Sequence, residues 1–148
     1  MKIIIKEEKF DVAETIKAFQ ESQGNVGAMV TFTGIVRNKE DEQLEFMEIE
    51  HYPGMVEKAI SEIVNKAKKS WSIADVLVIH RFGKLALNET IMMVATAANH
   101  RKDAFQAAEF IMDYLKSRAP FWKKETAKNS ASWVQSRKQD QTDLNRWE

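Results

Sequence analysis

Five basic side chains stand within a short segment near the C-terminal end of the chain, and their types and spacing could do chemistry. They are Lys116, Arg118, Lys123, Lys124 and Lys128, opposed only by Glu125. Two of these lysines directly follow the bulky pair Phe121-Trp122. Apolar surroundings disfavour a charged ammonium and lower its pKa, so such a lysine can serve as a nucleophile or as an acid and base. The segment therefore predicts amine chemistry or anion binding, although a single lysine is more often a solvated surface residue.

The charge balance of the whole chain narrows the class of ligand. The 22 lysines and arginines balance 22 aspartates and glutamates, so the chain has no overall attraction to nucleic acid or to an anionic membrane. One basic segment in a neutral chain favours a small anionic ligand over a long polyanion. The alternative left open is a single-stranded RNA-binding module, in which segment 116–128 holds RNA by charge and by stacking on its aromatic pair.

The absence of cysteine removes several kinds of chemistry. With no cysteine in the sequence, the chain has no disulfide, no thiolate metal ligand and no cysteine nucleophile. If the protein handles sulfur, the sulfur must arrive on another molecule. The three histidines are scattered without metal-ligand spacing, so we expect neither a metal nor another cofactor.

Outside segment 116–128, His100, Arg101 and Arg37 are further candidates for ligand binding. His100-Arg101 opens a predicted helix, where free N–H groups favour an anion or phosphate, although a histidine there is as often a plain capping residue. Arg37 ends a predicted strand, where a sheet places ligand contacts, but an exposed loop arginine is an equal alternative. His80-Arg81 also ends a strand, and we interpret it as structural. Arg137 has no local support.

The apolar patterns predict an α+β protein with helices on one face of its sheet. Strands are predicted at 2–5, 28–36, 44–51, 76–80 and 91–98, with the second and third as a hairpin and a bulge or close approach at Gly34. Helices are predicted after the N-cap Asp11, from Met55, and from the cap Asn99 to Pro120. The polar tail has Trp133 and Trp147 as its only large anchors.

Length and hydropathy predict one cytosolic domain. The 148 residues suit a single core. No apolar run approaches the roughly 20 residues that a membrane span needs, and the first ten residues lack the features of a signal peptide. We therefore expect one domain over 1–148, with a partly extended tail from about 126 onwards.

The length of the last predicted helix separates two of the candidate residues. His100 and Lys116 are sixteen positions apart, which corresponds to about 24 Å along an unbroken α-helix. Both cannot touch one small ligand within a single chain unless the helix breaks. A site that uses both is therefore shared by two copies of the chain, most simply in a two-fold dimer.

Several longer motifs, in order, resemble those of a known family. They are GAMVTFTGIVR (27–37), EHYPGM (50–55), VIHRFG (78–83), NHR (99–101), IMDYLK (111–116), APFWKKE (119–125) and WV (133–134). Together they are similar to the large, catalytic subunit of molybdopterin synthase, the MoaE family, from about residue 27 to 134. The resemblance implies an α/β-hammerhead-like fold, with a mixed or antiparallel sheet, helices on one face and a small extra antiparallel sheet.

The resemblance also implies an activity and partners. The family acts as a dimer of large subunits, each of which binds a small ubiquitin-like subunit, giving a heterotetramer. The C-terminal glycine of the small subunit carries a thiocarboxylate that enters a pocket of the large one. Two sulfurs pass to cyclic pyranopterin monophosphate and form the dithiolene of molybdopterin. A non-catalytic scaffold that only docks the ubiquitin-like tail is a further alternative.

The resemblance assigns roles to individual residues. Lys116 resembles the essential lysine beside the thiocarboxylate, and Lys123 resembles a second lysine in proton transfer or substrate contact. The remaining expected substrate-binding residues are Arg37, His100 and Arg101 at the pterin phosphate, Lys124 and Glu125 within the lysine motif, and Arg137 by its spacing from Trp133. The His-Arg pair is expected to come from the neighbouring chain.

Overall fold

The computed structural model describes residues 1–40, 43–128 and 130–148, and its strands form two four-stranded sheets. The elements in chain order are β1 (Lys2–Lys6), α1 (Val12–Glu21), β2 (Ala28–Ile35), β3 (Leu44–His51), α2 (Met55–Ser70), β4 (Ile73–Arg81), β5 (Gly83–Ala86), β6 (Thr90–Ala98), α3 (Arg101–Arg118), β7 (Phe121–Ala127), β8 (Ser130–Trp133) and α4 (Lys138–Asn145).

The first sheet is mixed and has the order β1-β4-β6-β2. Strand β1 runs parallel to β4, whereas β6 runs antiparallel to both β4 and β2. Helices α2 and α3 cover the face that carries Val78 and Val94, while α1 packs against the opposite face through Phe19, Leu77 and Ile79. The apolar strands β4 and β6 need cover on both faces because successive side chains point in opposite directions.

The second sheet is antiparallel, with the order β5-β3-β7-β8. The predicted α+β class, with a mixed sheet and a small extra antiparallel sheet, is therefore confirmed. The helices were expected on one face only, but α1 covers the second face of the mixed sheet, because the apolar side chains of β4 and β6 point to both sides. The predicted hairpin between β2 and β3 is wrong, because β3 pairs with β5 and β7. The partner of β2 is β6, with Ala28 opposite Ala98 and an irregularity at Gly34, where the bulge was predicted. The buried Met47 and Ile49 of β3 pack with Leu85 of β5 in the main core.

Helix α3 is continuous, which confirms the unbroken helix predicted between His100 and Lys116. It begins one residue later than predicted, with His100 at the N-cap position, and it ends before Pro120. Its alanines allow a close approach to β6, where the Thr96 hydroxyl donates to the carbonyl oxygen of Ala104 at 2.8 Å. Gly27 is tightly placed beside the start of α3, since a Cβ atom there would lie 2.4 Å from the carbonyl oxygen of Asn99.

The C-terminal tail is more ordered than the sequence predicted. After β8 it forms α4 and folds back along α3, with Leu144 fully buried. The Trp147 ring packs edge-on against Trp71 and Phe110, both at 5.5 Å, and its Nε1 donates to Asp113 at 2.6 Å. Of the two tail anchors that the sequence predicted, Trp147 is therefore confirmed, whereas Trp133 is an exposed side chain. Among the described residues, no helix is both long and apolar enough to cross a bilayer.

Replacing Trp147 with alanine should loosen the tail at a cost of about 2–4 kcal/mol, because it removes a packed aromatic ring and the hydrogen bond to Asp113. Hydrogen exchange should become faster at the backbone amides of 138–145. Trp133→Ala is the matched control, since Trp133 is 53% exposed and its loss should leave that exchange unchanged. Equal protection of α4 in Trp147→Ala and wild type would contradict the anchor.

Candidate functional site

A cavity of about 320 Å³ lies between the end of α3, strand β7, the edge strand β2 and the start of the tail. Lys116 and Lys123 both line it, together with the buried His80 of β4. Pro120 ends α3, and the two residues Ala119 and Pro120 connect it to β7. This short connection brings the two lysines, which belong to different elements, to one cavity.

Lys116 stands in the last turn of α3 and is exposed at the cavity mouth. A cation is favoured there because the helix dipole places partial negative charge at the C-terminal end. Among the residues that the structure describes, Lys116 forms no salt bridge with a carboxylate. Lys116 is therefore available to an anionic ligand that enters the cavity.

Lys123 is turned inward by the alternation of β7. Phe121, Lys123 and Glu125 share one face of the strand, whereas Trp122 and Lys124 lie on the other. Burial, helped by the positive charge of Lys116 and opposed by Asp140 and Glu125, lowers the pKa of Lys123 from 10.5 to about 8. A side chain with this pKa can gain or lose a proton close to neutral pH.

His80 was interpreted from the sequence as structural, but the structure places it in the wall of the cavity. Its ring stacks on Phe121 with a centroid distance of 3.7 Å and an interplanar angle of 15°. Its Nδ1 lies 2.8 Å from the carbonyl oxygen of Arg81. Burial, helped by the charge of Lys123, lowers its pKa from 6.5 to about 3, so the ring is neutral at pH 7. The sequence signal that could have identified His80 as a cavity residue is its position as a polar residue near the end of a buried apolar strand.

Arg81 agrees with the structural interpretation. It is buried, its Nη1 donates to Glu89 at 3.1 Å, and its Nε donates to the carbonyl oxygen of Glu7 at 3.0 Å. The guanidinium therefore ties the end of β4 to the segment after β1 and to the start of β6. These contacts hold His80 in place from outside the cavity.

The low pKa of His80 predicts a loss of stability in acid. The unfolded chain takes up a proton near pH 6.5 whereas the folded chain does not until about pH 3, so the free energy of unfolding falls as the pH drops below 6.5. Between pH 7 and 5 this contribution is about 1–2 kcal/mol. Urea denaturation should show a shallower pH dependence in His80→Phe, and parallel curves for the two proteins would contradict the prediction.

Three other predicted residues lie near the cavity but not in its wall. Arg37 is exposed two residues beyond the lining residue Ile35, and Arg137 is the N-cap of α4 directly after the lining residue Ser136. Glu125 is half-buried on the same face of β7 as Lys123. Glu125 acts on the site through its charge, since it favours the protonated form of Lys123.

The remaining predicted residues lie elsewhere. His100 and Arg101 are exposed at the opposite end of α3 from Lys116, as the helix length required. The Lys124 ammonium points away from the cavity and lies 5.8 Å from the centroid of the Trp133 ring. Because Lys123 and Lys124 point to opposite faces of β7, the basic segment does not form the continuous strip that an RNA-binding surface needs.

The tail contributes to the wall of the cavity, which no motif in the sequence predicted. Gln135, Ser136 and Asp140 line it. The Asp140 side chain accepts from the backbone N–H of Arg137 at 2.9 Å, and the Ser117 hydroxyl donates to the Asp140 carbonyl oxygen at 3.2 Å. The spacing of Arg137 and Asp140, as N-cap and third helical residue, was the only local signal.

Comparison with known proteins agrees with these features. The sequence profile of the MoaE protein family matches residues 5–118. The molybdopterin synthase catalytic subunit of Cereibacter sphaeroides is 52% identical over 147 residues, which cover 99% of this chain and 100% of that protein.

Two solved structures share the fold. The molybdopterin biosynthesis MoaE protein from Burkholderia ambifaria superposes with a TM-score of 0.83 at 44% identity, covering 99% of this chain and 97% of that one. Molybdopterin synthase from Staphylococcus aureus gives a TM-score of 0.79 at 30% identity, covering 90% and 96%. With full-length relatives of this similarity, the chain belongs to the MoaE family of molybdopterin synthase catalytic subunits.

Proposed function

We propose that the cavity is the active site of a molybdopterin synthase catalytic subunit. There, two loaded copies of a small ubiquitin-like subunit each give up the one sulfur of their C-terminal thiocarboxylate. Both sulfurs pass to cyclic pyranopterin monophosphate and form the molybdopterin dithiolene. The observation that carries this proposal is the meeting of Lys116 and Lys123 in one cavity. The absence of cysteine agrees with it, because the sulfur is then delivered by the partner.

The two lysines are suited to different tasks. Lys116, exposed at the mouth of the cavity, is placed to attract the thiocarboxylate and to stabilise the oxyanion that develops during transfer. Lys123, with its pKa near 8, is suited to move protons, since an efficient acid or base has a pKa close to the working pH. Glu125 and Asp140 keep part of the Lys123 population protonated.

His100 and Arg101 are exposed at the N-terminal end of α3, where free helix N–H groups favour a phosphate. We place His100 and Arg101 of a second copy at the same site, since in their own chain a continuous helix of about 24 Å separates them from Lys116. Arg37 and Arg137, which flank lining residues, complete the proposed substrate-binding set. Lys124, expected from the sequence to belong to it, points away from the cavity and is left out. The assembly is then a homodimer of 148-residue, single-domain catalytic subunits, and a cytoplasmic heterotetramer with the small subunit.

The direct test supplies the purified chain with the thiocarboxylated small subunit and cyclic pyranopterin monophosphate. We expect dithiolene product at two sulfurs per molecule, together with the carboxylate form of the partner. A chain that binds the partner but yields no product would instead be a scaffold. Tight, steeply salt-dependent binding of single-stranded RNA without any product would favour the RNA-binding alternative.

The shared site has a separate test by mixing two inactive variants. Copies that carry His100→Ala are combined with copies that carry Lys116→Ala and are allowed to exchange subunits. Half of the dimers are then mixed, and each mixed dimer has one intact site, so activity should return to about a quarter of wild type. If both residues served a site within one chain, mixing would restore nothing.

A further inference from the structure

His80 is a buried cavity side chain to which the sulfur transfer proposed above gives no role. Its Nδ1 lies 2.8 Å from the carbonyl oxygen of Arg81. Because a carbonyl oxygen can only accept, Nδ1 must carry the ring proton. The ring is neutral at pH 7, since burial lowers its pKa to about 3. The other ring nitrogen, Nε2, therefore holds a free lone pair and can only accept a hydrogen bond.

The Nε2 atom faces open space in the cavity. Within the described part of the chain, every side-chain nitrogen or oxygen that is closed off from solvent has a hydrogen-bond partner. Among the described residues, the Arg81 carbonyl oxygen at Nδ1 is the only hydrogen-bond partner of the His80 ring, so Nε2 must be reached by solvent. His80 is only 4% exposed, and the space that it lines is the cavity. Stacking on Phe121 fixes the ring plane and hence the direction of the lone pair.

The surroundings define the chemistry of the group that Nε2 can receive. Lys116 and Lys123 attract an anion into the cavity, but a lone pair repels an anionic oxygen and requires an N–H or O–H donor. The ligand must therefore carry a donor close to its anionic group. The last residue of a polypeptide has this arrangement, because one carbon atom separates its backbone N–H from its terminal carboxylate or thiocarboxylate.

The walls of the cavity strengthen this requirement. Phe32, Met92 and Leu115 contribute apolar surface, so a tail that enters loses the water that hydrated its last N–H. A buried N–H without an acceptor costs free energy comparable to a lost hydrogen bond. His80 supplies a neutral acceptor at fixed orientation, whereas Gln135 and Ser136 belong to the exposed tail.

We propose that His80 determines specificity for the docked tail by accepting, at Nε2, a hydrogen bond from the backbone N–H of the terminal residue of the small subunit. This inference rests on the proposed function, because it requires the tail to enter this cavity. His80 then orients the terminal group toward Lys116 and Lys123 without taking part in proton transfer.

The test uses two semisynthetic forms of the small subunit in the unreactive carboxylate state. One ends in glycine and the other in glycolate, which replaces the last N–H by an ester oxygen. Wild-type protein should bind the glycine form about 10- to 100-fold more tightly, the usual effect of leaving one buried polar group unpaired. His80→Phe keeps a ring to stack on Phe121 but has no acceptor, so it should bind both forms equally.

Two measurements control for the fold. His80→Gln can place an amide oxygen near the position of Nε2 and should recover part of the preference for the glycine form. In wild-type protein, the nitrogen NMR signal of Nε2 should move when the glycine form binds and stay nearly unchanged with the glycolate form. The NMR measurement tests the hydrogen bond to Nε2 in wild-type protein, so it does not depend on whether His80→Phe folds.

The possible failures are distinguishable. An equal preference for the glycine form in wild type and in His80→Phe would overturn the role of His80 and leave the proposed function standing. An Nε2 signal that responds identically to both forms would do the same. If neither form binds to wild-type protein, the proposed function fails and the role of His80 fails with it.

Discussion

Lys116→Ala should lower the rate of dithiolene formation by about 10²–10³-fold or more, the usual effect of removing a group that stabilises developing negative charge. The side chain is exposed at the end of α3, so its loss removes no packing and the dimer should stay folded. Single-turnover assays with the thiocarboxylated partner measure the rate, and circular dichroism checks the fold.

Lys124→Ala is the matched control for this experiment. It removes the same charge from the same segment, but Lys124 lies on the opposite face of β7, near the Trp133 ring. Its effect on the rate should be less than about tenfold, because a charge outside the cavity acts on the substrate through solvent. A Lys116→Ala variant with near-normal product formation, or equal losses in the two variants, would refute the assignment.

Lys123→Met should make the protein inactive and more stable at the same time. Loss of the acid and base group lowers the rate by about 10²–10⁴-fold. Methionine fills a similar volume without a charge, so it removes the desolvation cost that lowers the pKa of Lys123 to about 8. We expect the free energy of unfolding at pH 7 to rise by about 1–3 kcal/mol.

The stabilisation by Lys123→Met should depend on pH in a defined direction. Below pH 8 the lysine is protonated in both the folded and the unfolded chain, so the folded state bears the full cost of the buried charge. Between pH 8 and 10.5 the folded chain loses this proton first, and the cost disappears. Urea denaturation at pH 7 and pH 10 should therefore show a clearly larger gain at the lower pH. A gain that is the same at both would place its origin in packing alone.

The sequence predicted those parts of the fold that are fixed by local patterns. The N-cap at Asp11 is confirmed by its hydrogen bond from the Glu14 N–H at 2.9 Å. The irregularity at Gly34 and the stop before Pro120 were also predicted correctly. Capping, bulges and helix termination depend on residues within one turn, so their signals can be found without knowing the partners.

The pairing of strands and the inner surface of the site were not predictable in this way. Strand β3 pairs with β7 some seventy residues later, and no local pattern records that choice. Strand β7 does not show the usual alternation of apolar and polar residues, because Lys123 is turned inward although it is polar. His80 was interpreted as structural for the same reason, since only the folded chain brings it against Phe121 in the wall of the cavity.

The length of helix α3 also fixes a distance in the proposed dimer. The eighteen residues of the helix start at Arg101, directly after the N-cap His100, and carry Lys116 in the last turn, so in the proposed dimer one helix contributes to two separate sites. Inserting a single residue in its middle would turn one end by about 100° relative to the other and lengthen it by about 1.5 Å. The length and phase of this helix therefore set the spacing of the two sites and the direction in which each receives its neighbour's charges.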